Sequence, residues 1–239
     1  MEKRILSRIA MRHVCAAISW MALASAANPA AAADLAALSN GQASAGLKKA
    51  LDQGINHAVG KLGVPGGFLD NPAVKIPLPP ALEKGEKVMR MMGLGSQADE
   101  LTVAMNRAAE AAVPESKPIL EHALTHMTMD DAKQILTGGD DAATQYFKKA
   151  TNPALEAKFK PVIEQTTRKV HLAERYDAIA SKGAELGLLK PGDASLETYV
   201  TQKTLDGLFL MMADEERAIR KDPLGQASNL LKQVFGAIR

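Results

Sequence analysis

From Leu47 to the C-terminus, apolar residues recur at every third or fourth position, and no stretch alternates apolar with polar residues for long enough to build a sheet. That period commits the chain to helices. It fails between Gly63 and Pro80, where Pro65, Gly66, Gly67, Pro72, Pro77, Pro79 and Pro80 crowd together. Within this interruption Val74, Ile76 and Leu78 alternate with Lys75 and Pro77, the pattern of an extended segment pressed against a neighbour, and the prolines bar it from the middle of a sheet. We read it as a clasp laid across helices.

Around the clasp the helix boundaries are set by local signals. Ser39 or Asn40 can cap a first helix that carries Leu47, Leu51, Ile55, Ala58, Val59 and Leu62 on one face. Ala81 to Met92 stops at Gly93 and Gly95, and Ser96 with Asp99 resembles a capping box opening a helix to about Val113. Pro114 and Pro118 bracket the next start, whose stripe is Ile119, Leu120, Ala123, Leu124 and Met127. Thr128 with Asp131 makes a second box, and the helix it opens ends at Gly138-Gly139, after which Asp140 and Asp141 begin another. Asn152-Pro153 reads as a cap followed by a first-turn proline, opening the longest run, to about Leu186. Ser195 to Lys221 forms one helix, with Leu208 to Met212 apolar on all sides, and Leu224 to Ile238 forms a last amphipathic one. The expected fold is all-α, a single-domain bundle of about eight or nine helices with one proline-rich extended segment. Aromatics make up only 4% of the chain, so Leu, Ile, Val, Met and Ala must build its core.

The N-terminus follows another logic. Lys3, Arg4, Arg8 and Arg12 precede an uncharged apolar run, Val14 to Leu23, and small residues then lead to Ala31-Ala32-Ala33 before Asp34. These are the basic, apolar and cleavage regions of an export signal. We therefore expect a cleaved leader over 1–33, a mobile stretch over 34–40 and one all-helical domain over 41–239. Cleavage removes Cys15, the one cysteine, so the mature chain would form no disulfide, thiolate metal site or cysteine nucleophile. It also removes four basic residues and Glu2, so the formal net charge of +2 belongs to the leader. A near-neutral body predicts neither nucleic acid nor anionic lipid as a partner, and no membrane span is expected in it.

Three stretches carry a resemblance. They are Gly67-Phe68-Leu69-Asp70-Asn71-Pro72 with Ile76-Pro77-Leu78-Pro79, Thr128-Met129-Asp130-Asp131-Ala132-Lys133 with Ile135-Leu136-Thr137-Gly138, and Asp206-Gly207-Leu208-Phe209 with Lys221-Asp222-Pro223. Together they resemble an exported bacterial family catalogued as domain of unknown function 4197, over nearly all of the chain after residue 33. The resemblance implies a helical protein of the Gram-negative envelope, in the periplasm. It brings no activity and no catalytic residues.

Candidate chemistry is sparse. His122 and His126 stand one helical turn apart, the spacing that lets two imidazoles share a metal, with Asp130 or Asp131 as the nearest third ligand. Ala123 stands where a zincin needs Glu, and no Glu-x-x-His occurs, which excludes a ferritin-like di-metal site. The methionines at Met89, Met91 and Met92, at Met127 and Met129, and at Met211 and Met212 could serve copper(I), but their placement on apolar faces favours core filling. Glu83 with Lys87, Glu86 with Arg90, Glu164 with Arg168, and Glu216 with Arg220 are acid-before-base pairs four residues apart, the pattern of a solvated helix face. Beside so apolar a helix, Glu216 and Arg220 could instead line a polar pocket, and Tyr176 between Arg175 and Asp177 has the same standing. The glycine-rich stretches lack the Lys-Ser/Thr of a phosphate loop, and no Gly-x-Ser-x-Gly elbow occurs.

Export, neutrality and the lack of a reactive constellation together predict a periplasmic protein, non-catalytic, that binds an apolar ligand or a partner protein. The clasp and the Leu208 to Met212 helix are the expected walls of its site, with Tyr176, Glu216 and Arg220 as contacts. The alternative is zinc or copper handling through His122, His126 and Asp131; no other cofactor is expected.

Overall fold

In the computed structural model, which describes residues 40–83, 90, 91, 93, 95–168, 176 and 195–221, every long apolar period is a helix. The helices are α1 (Asn40–Leu62), α2 (Gly95–Ala112), α3 (Lys117–Thr125), α4 (Met129–Thr137), α5 (Ala142–Thr167) and α6 (Leu196–Lys221). A helical turn at Pro80–Glu83 and a 3-10 turn at Val113–Ser116 complete them, and no strand occurs among the described residues. The helical readings at 84–89 and 222–239, and that beyond Arg168, lie outside those residues, so the expected eight or nine helices cannot be counted there.

The centre of the bundle is α5, which lies mainly against α2 and α6 and also touches α3 and α4. Its buried residues include Ala143, Phe147, Thr151, Leu155, Phe159, Ile163 and Thr167, a row at strict four-residue steps. A helix turns once in 3.6 residues, so such a row drifts by about 40° per step and sweeps roughly 240° from end to end. One helix thereby serves different neighbours along its length. Thr151 and Thr167 join the row by donating their hydroxyls to the carbonyls of Phe147 and Ile163, at 2.7 and 2.9 Å.

The start read at Asn152-Pro153 is corrected here: α5 begins ten residues earlier, at Ala142, and runs through both Pro153 and Pro161. Both prolines are exposed, and so are Lys149 and Ala157, whose carbonyls they leave without a donor. Water takes the place of the missing N–H groups, which is why the helix survives. Two smaller readings change as well. α2 begins at Gly95, ahead of the expected Ser96 cap, and Asp99 pairs with Arg90 at 2.8 Å. On α6, Leu208, Phe209, Met211 and Met212 are buried but Leu210 is 41% exposed, so the segment is not apolar-facing on all sides.

The clasp keeps the alternation its sequence carries. Val74, Ile76 and Leu78 are buried while Lys75 and Pro77 are exposed. Several of its amides bond to carbonyls within the clasp, and α2 supplies partners for those of Gly66, Phe68, Leu69 and Ile76. Buried Asn106 donates Nδ2 to the Ile76 carbonyl at 2.9 Å and accepts the Ile76 N–H on Oδ1 at 2.8 Å. One turn on, Oε1 of Glu110 accepts the N–H groups of Gly66, Phe68 and Leu69 at 3.0, 3.1 and 3.0 Å, and Oε2 accepts from Arg107 at 2.6 Å. The turn that aims these amides together puts Gly66 at φ 90°, a conformation cheap only for glycine.

Phe68, fully buried, then lies on α6. A Cβ added at Gly207 would stand 2.7 Å from Cε1 of its ring. The clasp therefore meets α6 at Gly207, and its buried residues share one core with Leu208, Phe209, Met211 and Met212.

Burial opposes the charge on Glu110, but the Leu69 N–H, the Arg107 guanidinium and the Phe68 N–H together outweigh it and hold the carboxyl below its usual range. A depressed folded-state pKa gives stability that is present above the unfolded value and lost as pH falls through the folded one. We predict that Glu110→Gln lowers the unfolding free energy at neutral pH by ~1–3 kcal/mol in urea titrations, and that the gap to wild type closes in acid. A gap that ignores pH would remove the charge from this account. Gly207→Ala should cost ~1–3 kcal/mol through the Phe68 clash, read as a lowered urea midpoint at unchanged slope.

Candidate functional site

Glu216 and Arg220 meet, as their spacing predicts, but around the start of a helix. Asp141 makes no side-chain cap for α5. Glu216, reaching across from α6, does so instead: Oε1 accepts the Ala143 N–H, and Oε2 accepts the Thr144 N–H and hydroxyl, each at 2.9 Å. A negative group thus sits at the positive end of the α5 dipole. Arg220 closes on Oε1 through Nε at 3.1 Å and Nη2 at 2.7 Å, and Nη2 also donates to the Ile135 carbonyl of α4 at 2.9 Å. Protein donors satisfy both oxygens, and the adjoining spaces, about 20 and 10 Å³, hold one water at most. The pair pins α4, α5 and α6 together. Tyr176 is buried in the core, and Arg175 and Asp177 beside it lie outside the described residues.

The outer face of α5 is different. Two open grooves of about 530 and 480 Å³ share Tyr146 and Ala150. The first runs between α4 and α5, past Asp131, Gln134, Ile135, Gln145 and Lys149; the second runs between α3 and α5, past Ile119, His122, His126 and Thr151. Tyr146 forms the ridge between them and donates its hydroxyl to the Ala123 carbonyl at 3.0 Å. Burial, and then the charge of Asp131, raise its pKa, so the phenol stays a neutral donor.

All three proposed metal residues therefore border this ridge. His122 and His126 are exposed and stacked, with ring centroids 4.0 Å apart. Asp131 is already engaged. Its Oδ2 accepts the Thr128 hydroxyl and N–H at 2.6 and 3.0 Å, completing the capping box of α4, and these two bonds lower its pKa. Among the described residues no three His, Cys, Asp or Glu side chains gather to hold a metal ion. Of the methionines, Met127, Met211 and Met212 are buried, whereas Met91 and Met129 are exposed.

Sequence reasoning missed two features. Tyr146 occupies an ordinary position beside Phe147, and nothing in its neighbours marks it as a ridge between grooves. Glu215, His57 and Lys61 form a latch between α6 and α1, with Nδ1 of His57 2.5 Å and Nζ of Lys61 3.0 Å from the carboxylate. Burial opposes the Glu215 charge, but Lys61 and His57 outweigh it and lower its pKa. These partners lie more than 150 positions away, beyond any local spacing rule.

A family model described as a protein of unknown function, DUF4197, matches residues 37–236. The chain belongs to this family. The DUF4197 match spans the clasp, the α5 junction and the Tyr146 ridge, and its description assigns no activity to any of them. No curated protein and no solved structure matches the chain. In this DUF4197 protein, neighbouring glutamates have opposite weights. Glu216→Ala breaks the buried ion pair with Arg220 and uncaps α5, and should cost ~3–5 kcal/mol in chemical denaturation. Glu215→Ala removes only partly exposed ion pairs and should cost no more than ~1 kcal/mol. Equal losses would contradict the assignment.

Proposed function

We propose that this DUF4197 protein is an exported, non-catalytic binding protein of the Gram-negative envelope, and that its partner is another polypeptide held across the Tyr146 ridge. One observation carries the reading: ligand-sized space lies in the two grooves on either side of Tyr146, while the interior spaces beside Glu216 take only a water. Of the two occupants the sequence suggests, an apolar small molecule needs enclosure, and a polypeptide needs an open surface. The groove chemistry favours the second. Ile135, Ala150, Ile119 and Ala154 offer an apolar floor, while Gln134, Gln145 and Lys149 offer amide and ammonium donors that suit a peptide backbone.

Export rests on the basic, apolar and small-residue order of the first 33 residues. Among the described residues no helix is long and apolar enough to cross a membrane. The non-catalytic part rests on Glu216, the most buried carboxylate of α6 beside Glu215, having every acceptor position used by the fold.

A photo-crosslinking residue at Gln145 or Lys149, expressed in intact cells, should yield one discrete protein adduct. The same probe at exposed Glu156, further along α5, should not, and Ala150→Glu should abolish the adduct. Adducts indifferent to position would sink the partner reading. Recovery of the protein from the cytosol with residues 1–33 attached would sink the export reading.

A further inference from the structure

We propose that His122 and His126 form a two-imidazole clip for a divalent transition-metal ion, with copper(II) preferred over nickel(II) and zinc(II). The inference is independent of the partner reading, since it concerns one wall of one groove and needs no second protein.

The spacing brings the two rings together before any ion arrives. The four-residue spacing on α3 puts both rings on one helix face, and the rings already lie together, with centroids 4.0 Å apart and planes inclined by 26°. An imidazole lone pair lies in its ring plane, so the two exposed rings must unstack and turn toward each other before both nitrogens can meet one ion at bonds of ~2.0–2.1 Å.

The second observation concerns the proton of His126. Its Nδ1 lies 2.9 Å from the His122 carbonyl oxygen and 3.2 Å from the Thr125 hydroxyl. In the tautomer that donates the Nδ1 hydrogen to that carbonyl, Nε2 of His126 is the lone-pair nitrogen. Metal-binding histidines are usually held in this way, with the non-ligating N–H given to a backbone carbonyl, which fixes the tautomer and the ring orientation. The carbonyl here belongs to the other histidine, so the backbone of one ligand orients the ring of the other.

Access and ligand type follow from the surroundings. Both rings are exposed and line the same open groove of about 480 Å³, so solvent can fill the remaining coordination positions. Neutral imidazole suits copper(II), nickel(II) and zinc(II), and for a given nitrogen site affinity peaks at copper. Asp131, spent in the α4 capping box, is not required.

Untagged full-length protein titrated with copper(II) chloride should bind one ion, and the frozen complex should show nitrogen hyperfine splitting from two imidazoles by electron paramagnetic resonance. His122→Gln and His126→Gln should each weaken binding by at least the ~10–100-fold that loss of an outer partner costs a metal site. His57→Gln should leave binding unchanged. Nickel(II) and zinc(II) should bind the wild type more weakly, in that order or equally. Splitting from one nitrogen or none, or binding that survives in His122→Gln or disappears in His57→Gln, would overturn the clip.

Discussion

The carboxylate of Glu110 holds together the part of the chain least able to hold itself. A segment with five prolines between Pro65 and Pro80 cannot pair as a sheet strand, yet its apolar residues must be buried, and buried amides need acceptors. One oxygen of Glu110 meets three of them, and Asn106, a turn earlier on α2, serves both polar groups of Ile76. Without these two side chains the clasp would bury unsatisfied backbone or leave the core. With them, Phe68 is delivered onto Gly207 of α6, so the seating of the clasp also fixes how closely α6 approaches.

The same logic recurs at Glu216. A helix start within the core leaves N–H groups unpaired, and the local cap that the sequence offers at Asp141 is not formed. A carboxylate from a helix over seventy positions away satisfies them instead, and Arg220 ties that carboxylate to the end of α4. These buried acids stabilise contacts between distant elements, and protein donors meet both oxygens of each.

The open space lies at the surface. Around Tyr146 the helices leave two grooves that neither the clasp nor the Glu216 junction occupies, and their rims, including Gln134, Gln145, Lys149, His122 and His126, are exposed. Gln145, Lys149, His122 and His126 can change partners without disturbing the core. Asp131, by contrast, caps the start of α4 through Oδ2, and among the described residues no three His, Cys, Asp or Glu side chains gather to hold a metal ion.

The helical class, the clasp with its alternating burial, the Thr128 and Asp131 capping box and the family were all legible in the sequence, because each depends on residues within a few positions of one another or on a pattern carried by the chain itself. The course of α5 was not. Pro153 carries the local signature of a helix start, and only the exposed position of Pro153 and Lys149 lets the helix continue through it. Glu216 and Arg220 could be paired from their spacing, but spacing gives no sign of the Ala143 and Thr144 amides that turn a surface-type ion pair into a buried cap. Local hydrogen bonding and periodicity are written along the chain; which groups lose water, and which distant partner replaces it, is decided only when the helices come together.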